Sequence, residues 1–182
     1  MPANKIMVIR HAEKPTDKDG GVDQKGVPDK HDLIVRGWQR AGALAHFFAK
    51  AAPTTSIQTP ATIFATEPTT GSDSKRPEKT VTPLSELINV AIDNTVHEGS
   101  EQDLVTKAQA CNGVVLIAWH HGKIPDIANA ILGKPVVTAK WPENRFDMVW
   151  VFGRSSQTAP WSFSQVPQLL LQGDSSSPIP TS

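Results

Sequence analysis

Two apolar runs in this chain end on histidine. "KIMVIRH" runs from Lys5 to His11, and "VVLIAWHH" from Val114 to His121. Each is short, apolar and bounded by polar chain, the pattern of a buried strand. Helical patterns separate the strands, and strand–helix alternation predicts a mostly parallel sheet. If these two strands lie parallel and adjacent, His11 and His120 emerge at one carboxyl edge with Arg10 beside them. That edge is where open α/β sheets place their ligands.

The rest of the chain reads as a three-layer α/β/α sandwich. "LIVRGWQRAGALAHFFAKAA", Leu33 to Ala52, predicts a helix with Trp38, Ala41, Leu44, Ala45 and Phe48 on one face. "PATIFATEP" reads as the next strand, and Pro77 suits the first position of a helical turn beginning just after Arg76. "GSEQDLVTKAQAC" reads as a helix, with Ser100 as N-cap and Asp103 three residues on. "IPDIANAILG" is a helix stopped by Gly133. "FDMVWVFG" reads as a strand, and "WSFSQVPQLLLQGD" as one or two more, with Pro167 restricting the pairing to an edge. Residues 15–32 form a long polar loop after the Arg-His tip, placed to flank or cover a site. Residues 1–173 are expected to form one domain and 174–182 a disordered tail. Most of the tryptophans should be core, Trp141 included, with lining of a substrate mouth as the alternative for Trp141.

Composition narrows the function. The chain has 182 residues and no formal net charge, which argues against a general nucleic-acid or anionic-membrane binder. A single cysteine, Cys111, excludes an intrachain disulfide framework and suits a reducing compartment. No basic region followed by a long apolar stretch marks the N-terminus, and the longest apolar run is far short of the roughly 20 residues that span a bilayer. A soluble, cytoplasmic protein is expected.

Arg10, His11 and His120 would share the crevice with Arg76, which follows the second strand. Such a cluster needs an anion, and a guanidinium fork matches phosphate oxygens. Neighbouring guanidiniums also disfavour imidazolium, leaving His11 neutral and nucleophilic. The chemistry implied is phosphoryl transfer through a phosphohistidine. A metal site on His120 and His121 with Asp126 is a poorer reading, because adjacent side chains in extended chain point apart.

These residues carry a family resemblance. "VIRHAEKP" resembles the Arg-His-Gly signature of the histidine phosphatase superfamily, also called phosphoglycerate mutase-like. "LIVRGWQRAGALA", "IFATEP…SKRPEKT", "TPLSE" and "VVLIAWHHGKI" resemble its later segments, in the family's order. Ala12 stands where the family usually has Gly, and "ATEPTTGSDSK" replaces a common Ser-Pro-Leu lead-in. The resemblance implies a phosphoglycerate mutase-like fold, His11 as nucleophile, and Arg10, Arg76 and His120 as ligands of the phosphoryl oxygens. It implies no metal and no cofactor.

For the proton donor, the resemblance points to Glu86 in "PLSE", with Glu13 as the alternative; Glu13 could instead orient the pocket through an ion pair with an arginine. His121 and Lys14 are expected at the rim. The function expected is metal-independent hydrolysis of a phosphomonoester, on a small phosphorylated substrate or a phosphoprotein. The alternatives are a mutase of the same chemistry and a catalytically silent module that binds a phosphorylated ligand. The short stretch between Glu86 and Val114 favours hydrolysis over a mutase, which needs added segments to retain its intermediate.

Overall fold

The computed structural model describes residues 2–50, 56–70 and 72–182. In chain order the elements are β1 (Lys5–Arg10), α1 (Val35–Ala49), β2 (Thr62–Ala65), α2 (Arg76–Ile88), β3 (Ile92–Asp93), α3 (Glu101–Ala110), β4 (Val114–Trp119), α4 (Ile124–Leu132), β5 (Met148–Gly153) and β6 (Ser162–Pro167). The strands form one sheet in the order β3-β2-β4-β1-β5-β6. β3, β2, β4 and β1 run parallel, and β5 pairs antiparallel with both β1 and β6.

Alternation along the central strands builds the layers. Ile6 and Val8 of β1 join Val115, Ile117 and Trp119 of β4 in one cluster with Leu104 and Val105 of α3 and Ile124 and Ile127 of α4. Met7 and Ile9, with Leu116 and Ala118, face the other way, onto Leu44 and Phe48 of α1 and Val81 and Leu84 of α2. The two histidine-ending strands are neighbours in register, with Arg10 opposite Trp119. His11 N–H donates to Trp119 O at 3.0 Å, carrying the ladder one residue past the strand end. The register therefore brings both histidines to the same edge.

α1 begins at Val35 rather than Leu33 and ends at Ala49; the expected continuation through Ala51 and Ala52 lies outside the described residues. α2 runs well past a single turn, through Pro83 to Ile88. Ser100 occupies the N-cap of α3, but its side chain makes no capping bond. Pro167 does lie on the edge strand, as expected. The polar loop flanks the strand tips: Trp38 Nε1 donates to Val22 O at 2.8 Å and Lys75 Nζ to Asp29 Oδ2 at 2.7 Å. Trp141 is core, its indole donating to Arg145 O at 2.8 Å beside Trp150.

The disordered tail is corrected. Ile179 is 2% exposed within the α3/α4 cluster. The Gln165 side chain brackets it, donating to Ile179 O at 2.7 Å and accepting from Ile179 N–H at 2.8 Å. Thr181 O accepts from Thr138 and Ala139, and Asp147 Oδ2 from Ser175 N–H. A polar, proline-rich composition concealed one apolar anchor whose flanking backbone is satisfied by distant partners. Replacing Ile179 by Ala should lower the unfolding free energy by roughly 2–5 kcal/mol, measured by urea denaturation. A change below about 0.5 kcal/mol, typical of a surface site, would contradict this packing.

Candidate active site

Arg10 is fully buried at the tip of β1. Its Nη1 donates to Pro142 O (3.0 Å), Glu143 O (2.7 Å) and Arg145 O (3.0 Å), and the Phe146 ring lies 3.9 Å from Cζ. Burial lowers its pKa to about 10, against the opposing pull of Glu143 and Glu13, so it stays charged at neutral pH. Its Nε and Nη2 are buried without a hydrogen-bond partner. Glu143 Oε2 stands 3.8 Å from Nη2, too far for a hydrogen bond. Arg76 Nε and His120 Nε2 are likewise buried and unpartnered. Donors in that condition are costly unless something accepts from them.

His11 stands beside these donors, 2% exposed. Its Nδ1 is 2.7 Å from Ala12 O. A carbonyl oxygen only accepts, so Nδ1 carries the proton and Nε2 keeps a lone pair. Desolvation drives the His11 pKa well below 6.5, and Arg10, His120 and Arg76 push the same way against the Ala12 hydrogen bond. The His120 ring meets it edge-on at 5.4 Å between centroids. Burial lowers the His120 pKa too, with Glu98 opposing.

Arg76 opens α2, and Thr80 one turn later locks that helix to the strand tip. Thr80 Oγ1 donates to Arg76 O at 2.7 Å and accepts from Ala12 N–H at 2.7 Å. On the other side α1 approaches so closely that a Cβ on Gly37 would lie 2.7 Å from Glu13 O. Sequence spacing thus places Arg10, His11, Arg76 and His120 together.

Neither expected proton donor joins them. Glu86 is exposed near the C-terminal end of α2, ~15 Å along the helix axis from Arg76 at 1.5 Å per residue. Glu13 is close in sequence but engaged: Arg40 Nε and Nη2 donate to its carboxylate at 2.8–3.1 Å, and Arg36 Nε lies 3.3 Å away. Arg40 is held in turn by Gln168 and Asp174. Glu13 thus makes the ion pair with an arginine that the sequence left open as its alternative. Two other carboxyl groups reach the cluster: Glu143, whose bonds to Lys14 and His121 hold it ionised, and Glu98, whose Oε2 is 3.7 Å from His120 Nε2. Glu98 follows β3, a strand of two residues, too short to leave a period in the sequence.

His121 and Lys14 are at the rim, both bound to Glu143. His121 Nε2 is 2.6 Å from Glu143 Oε1, and Lys14 Nζ donates to Oε2 at 2.8 Å. Those bonds, the lysine's first, lower the Glu143 pKa to about 2. A cavity of about 450 Å³ lies next to the rim, between Lys14, Ile34, Arg36, Glu143 and Phe146. Among the described residues, no group of three or more His, Cys, Asp or Glu is arranged to hold a metal ion. No described helix is long and apolar enough to cross a membrane.

No protein-family model and no curated protein matches the sequence. Solved structures match the fold. A mycobacterial glucosyl-3-phosphoglycerate phosphatase in complex with VO3 superposes with a TM-score of 0.58 at 13% identity, over 88% of this chain and 97% of that one. A phosphoserine phosphatase from Entamoeba histolytica, in complex with phosphoserine, gives 0.56 at 12% identity, over 92% and 98%. The alpha-ribazole phosphatase of Shigella flexneri gives 0.52 at 10%, over 87% and 94%. The fold is therefore phosphoglycerate mutase-like, that of the histidine phosphatases. At these identities the likeness is one of fold.

The lowered histidine pKa values fix a pH dependence. His11, His120 and His121 all favour the neutral form when folded. The unfolded chain, with ordinary values near 6.5, binds more protons below that pH, so stability rises with pH there. The ligand-free protein should be fully stabilised above about pH 6.5 and lose stability progressively below it. His11→Asn should flatten part of the decline between roughly pH 6.5 and 5, measured by denaturant titration. An unchanged slope would show that His11 is not held neutral.

Proposed function

We propose that this protein is a metal-independent phosphatase that hydrolyses a phosphomonoester through a phosphohistidine on His11. The observation that carries the reading is the set of unpartnered buried donors on Arg10, Arg76 and His120 around an imidazole whose Nδ1 is already engaged. Arg10 Nε and Nη2, Arg76 Nε and His120 Nε2 suit the phosphoryl oxygens, and His11 Nε2 is the free nucleophile. The three solved structures described above are named as phosphatases, which supports phosphatase activity.

In the first step His11 Nε2 forms a bond to phosphorus as the bond to the leaving oxygen breaks. The donors take up the charge gathering on the phosphoryl oxygens, where most of the catalytic advantage in such transfers arises. Glu98, rather than Glu86 or Glu13, delivers its proton to the departing oxygen. In the second step a water gives that proton back to the Glu98 carboxylate and attacks phosphorus. Inorganic phosphate leaves and His11 is regenerated. Lys14 and Glu143, with His121 bonded to the latter, form a polar rim that meets the leaving group. The substrate is a small phosphorylated molecule or a phosphoprotein.

His11→Ala should abolish turnover and leave folding intact, and labelled phosphate should be trapped on His11 as an acid-labile, base-stable adduct. Chelators should leave activity unchanged; loss on EDTA treatment with recovery on added zinc or magnesium would overturn the reading. Arg76→Ala should lose about 2.7–4 kcal/mol of transition-state stabilisation, read as kcat/KM. Glu98→Gln should slow alkyl phosphates by roughly 100-fold and spare an activated aryl phosphate, whose leaving group needs no proton. Equal losses on both substrates would remove Glu98 from the mechanism.

A further inference from the structure

Glu98 sits in the loop between β3 and α3, an irregular stretch with an exposed carboxyl-bearing residue. Proton delivery needs that side chain held within hydrogen-bond reach of the leaving oxygen. Something must therefore tie this loop to the edge where His11 and His120 stand. The loop's own N-cap does not, because the Ser100 side chain makes no capping bond.

Glu101, the first residue of α3, is 8% exposed. Its Oε1 accepts two hydrogen bonds, from Trp119 Nε1 at 3.1 Å and from Gly99 N–H at 2.9 Å. Each donor adjoins a site residue. Gly99 immediately follows Glu98, and Trp119 immediately precedes His120. Trp119, fully buried, also accepts the His11 N–H through its backbone oxygen. One carboxylate oxygen thus joins the loop of the proton donor to the tip of β4, which carries His120 and accepts the His11 N–H from the neighbouring strand. The helix N-terminus favours negative charge at this position, which lowers the cost of burying it.

We propose that Glu101 is a positioning residue: by bridging Trp119 Nε1 and Gly99 N–H it sets the Glu98–His120 spacing and so aims the proton donor at the leaving oxygen. The proposal rests on the reading of Glu98 as donor. Glu101 itself touches neither substrate nor phosphoryl group. Its loss should misplace the donor and leave the phosphate-binding atoms of Arg10 and Arg76 where they are.

The test compares an alkyl phosphate with p-nitrophenyl phosphate, together with inhibition by vanadate, in the full chain. Glu101→Ala removes the bridge and should slow the alkyl substrate by roughly tenfold or more, the loss expected for a charge-assisted hydrogen bond. The aryl substrate and the vanadate inhibition constant should hold within about twofold, less than one ordinary hydrogen bond is worth. Glu101→Gln keeps the accepting oxygen and should rescue the alkyl rate. Glu101→Asp keeps the charge but retracts the oxygen, so it should repeat the alanine pattern, and it serves if the alanine variant does not fold. In a Glu98→Gln background, Glu101→Ala should add nothing further on the alkyl substrate. Equal losses on both substrates, weakened vanadate inhibition, or no loss at all would overturn the positioning role, provided Glu98→Gln is itself selective. An unselective Glu98→Gln would instead overturn the donor reading, and an alkyl-selective Glu101→Ala beside it would show that Glu101 positions a different acid.

Discussion

The site depends on a guanidinium that the fold buries and only half satisfies. Arg10 gives Nη1 to three carbonyls of the segment before β5 and lays its face against Phe146. Its Nε and Nη2 have no hydrogen-bond partner. Burying a charge is costly unless it is paired, and the same burial presses His11 and His120 towards neutrality. A dianionic group set among these donors would pair the buried guanidinium charge. The carbonyls that hold Arg10 come from the 142–145 segment, so the rim carboxylate of Glu143 and the wall formed by Phe146 are fixed by the same guanidinium.

Much of this was legible because it follows strand and helix periods. The apolar runs of β1 and β4 announced buried strands, and their shared histidine endings announced a common edge; parallel register then did the rest. Arg76 was legible from its place after the second strand and from the resemblance; that Thr80, one helical turn on, bonds back to Arg76 O and accepts from Ala12 N–H is visible only in the structure. Pro167 marked an edge strand for want of an N–H.

What escaped the sequence lies where no period operates. β3 has two residues, so nothing marked Glu98 as the first acid beyond a strand. The motif-like "PLSE" drew attention to Glu86, on the exposed end of a helix. Glu13 has the right distance along the chain from His11 but is saturated by Arg40, whose buried position depends on Gln168 and Asp174 from the far end of the chain. Ile179 was hidden in the same way: its burial depends on a bracket from Gln165 that no local pattern encodes.

The division is also chemical. The groups proposed to bind the phosphoryl oxygens sit on a strand tip, a helix start and the residue after a strand, where geometry is set by the ladder and by Thr80. The proposed proton donor sits on a loop that the Glu101 bridge ties to the tip of β4. Oxyanion stabilisation tolerates no reorganisation, since preorganised donors are what make it strong. A proton donor must cycle between acid and base and meet leaving groups of different shape. A rigid set of proposed phosphate ligands tied through the Glu101 carboxylate to a short loop suits both requirements. Sequence change in that loop would then alter which esters are cleaved with little effect on how tightly phosphate is held.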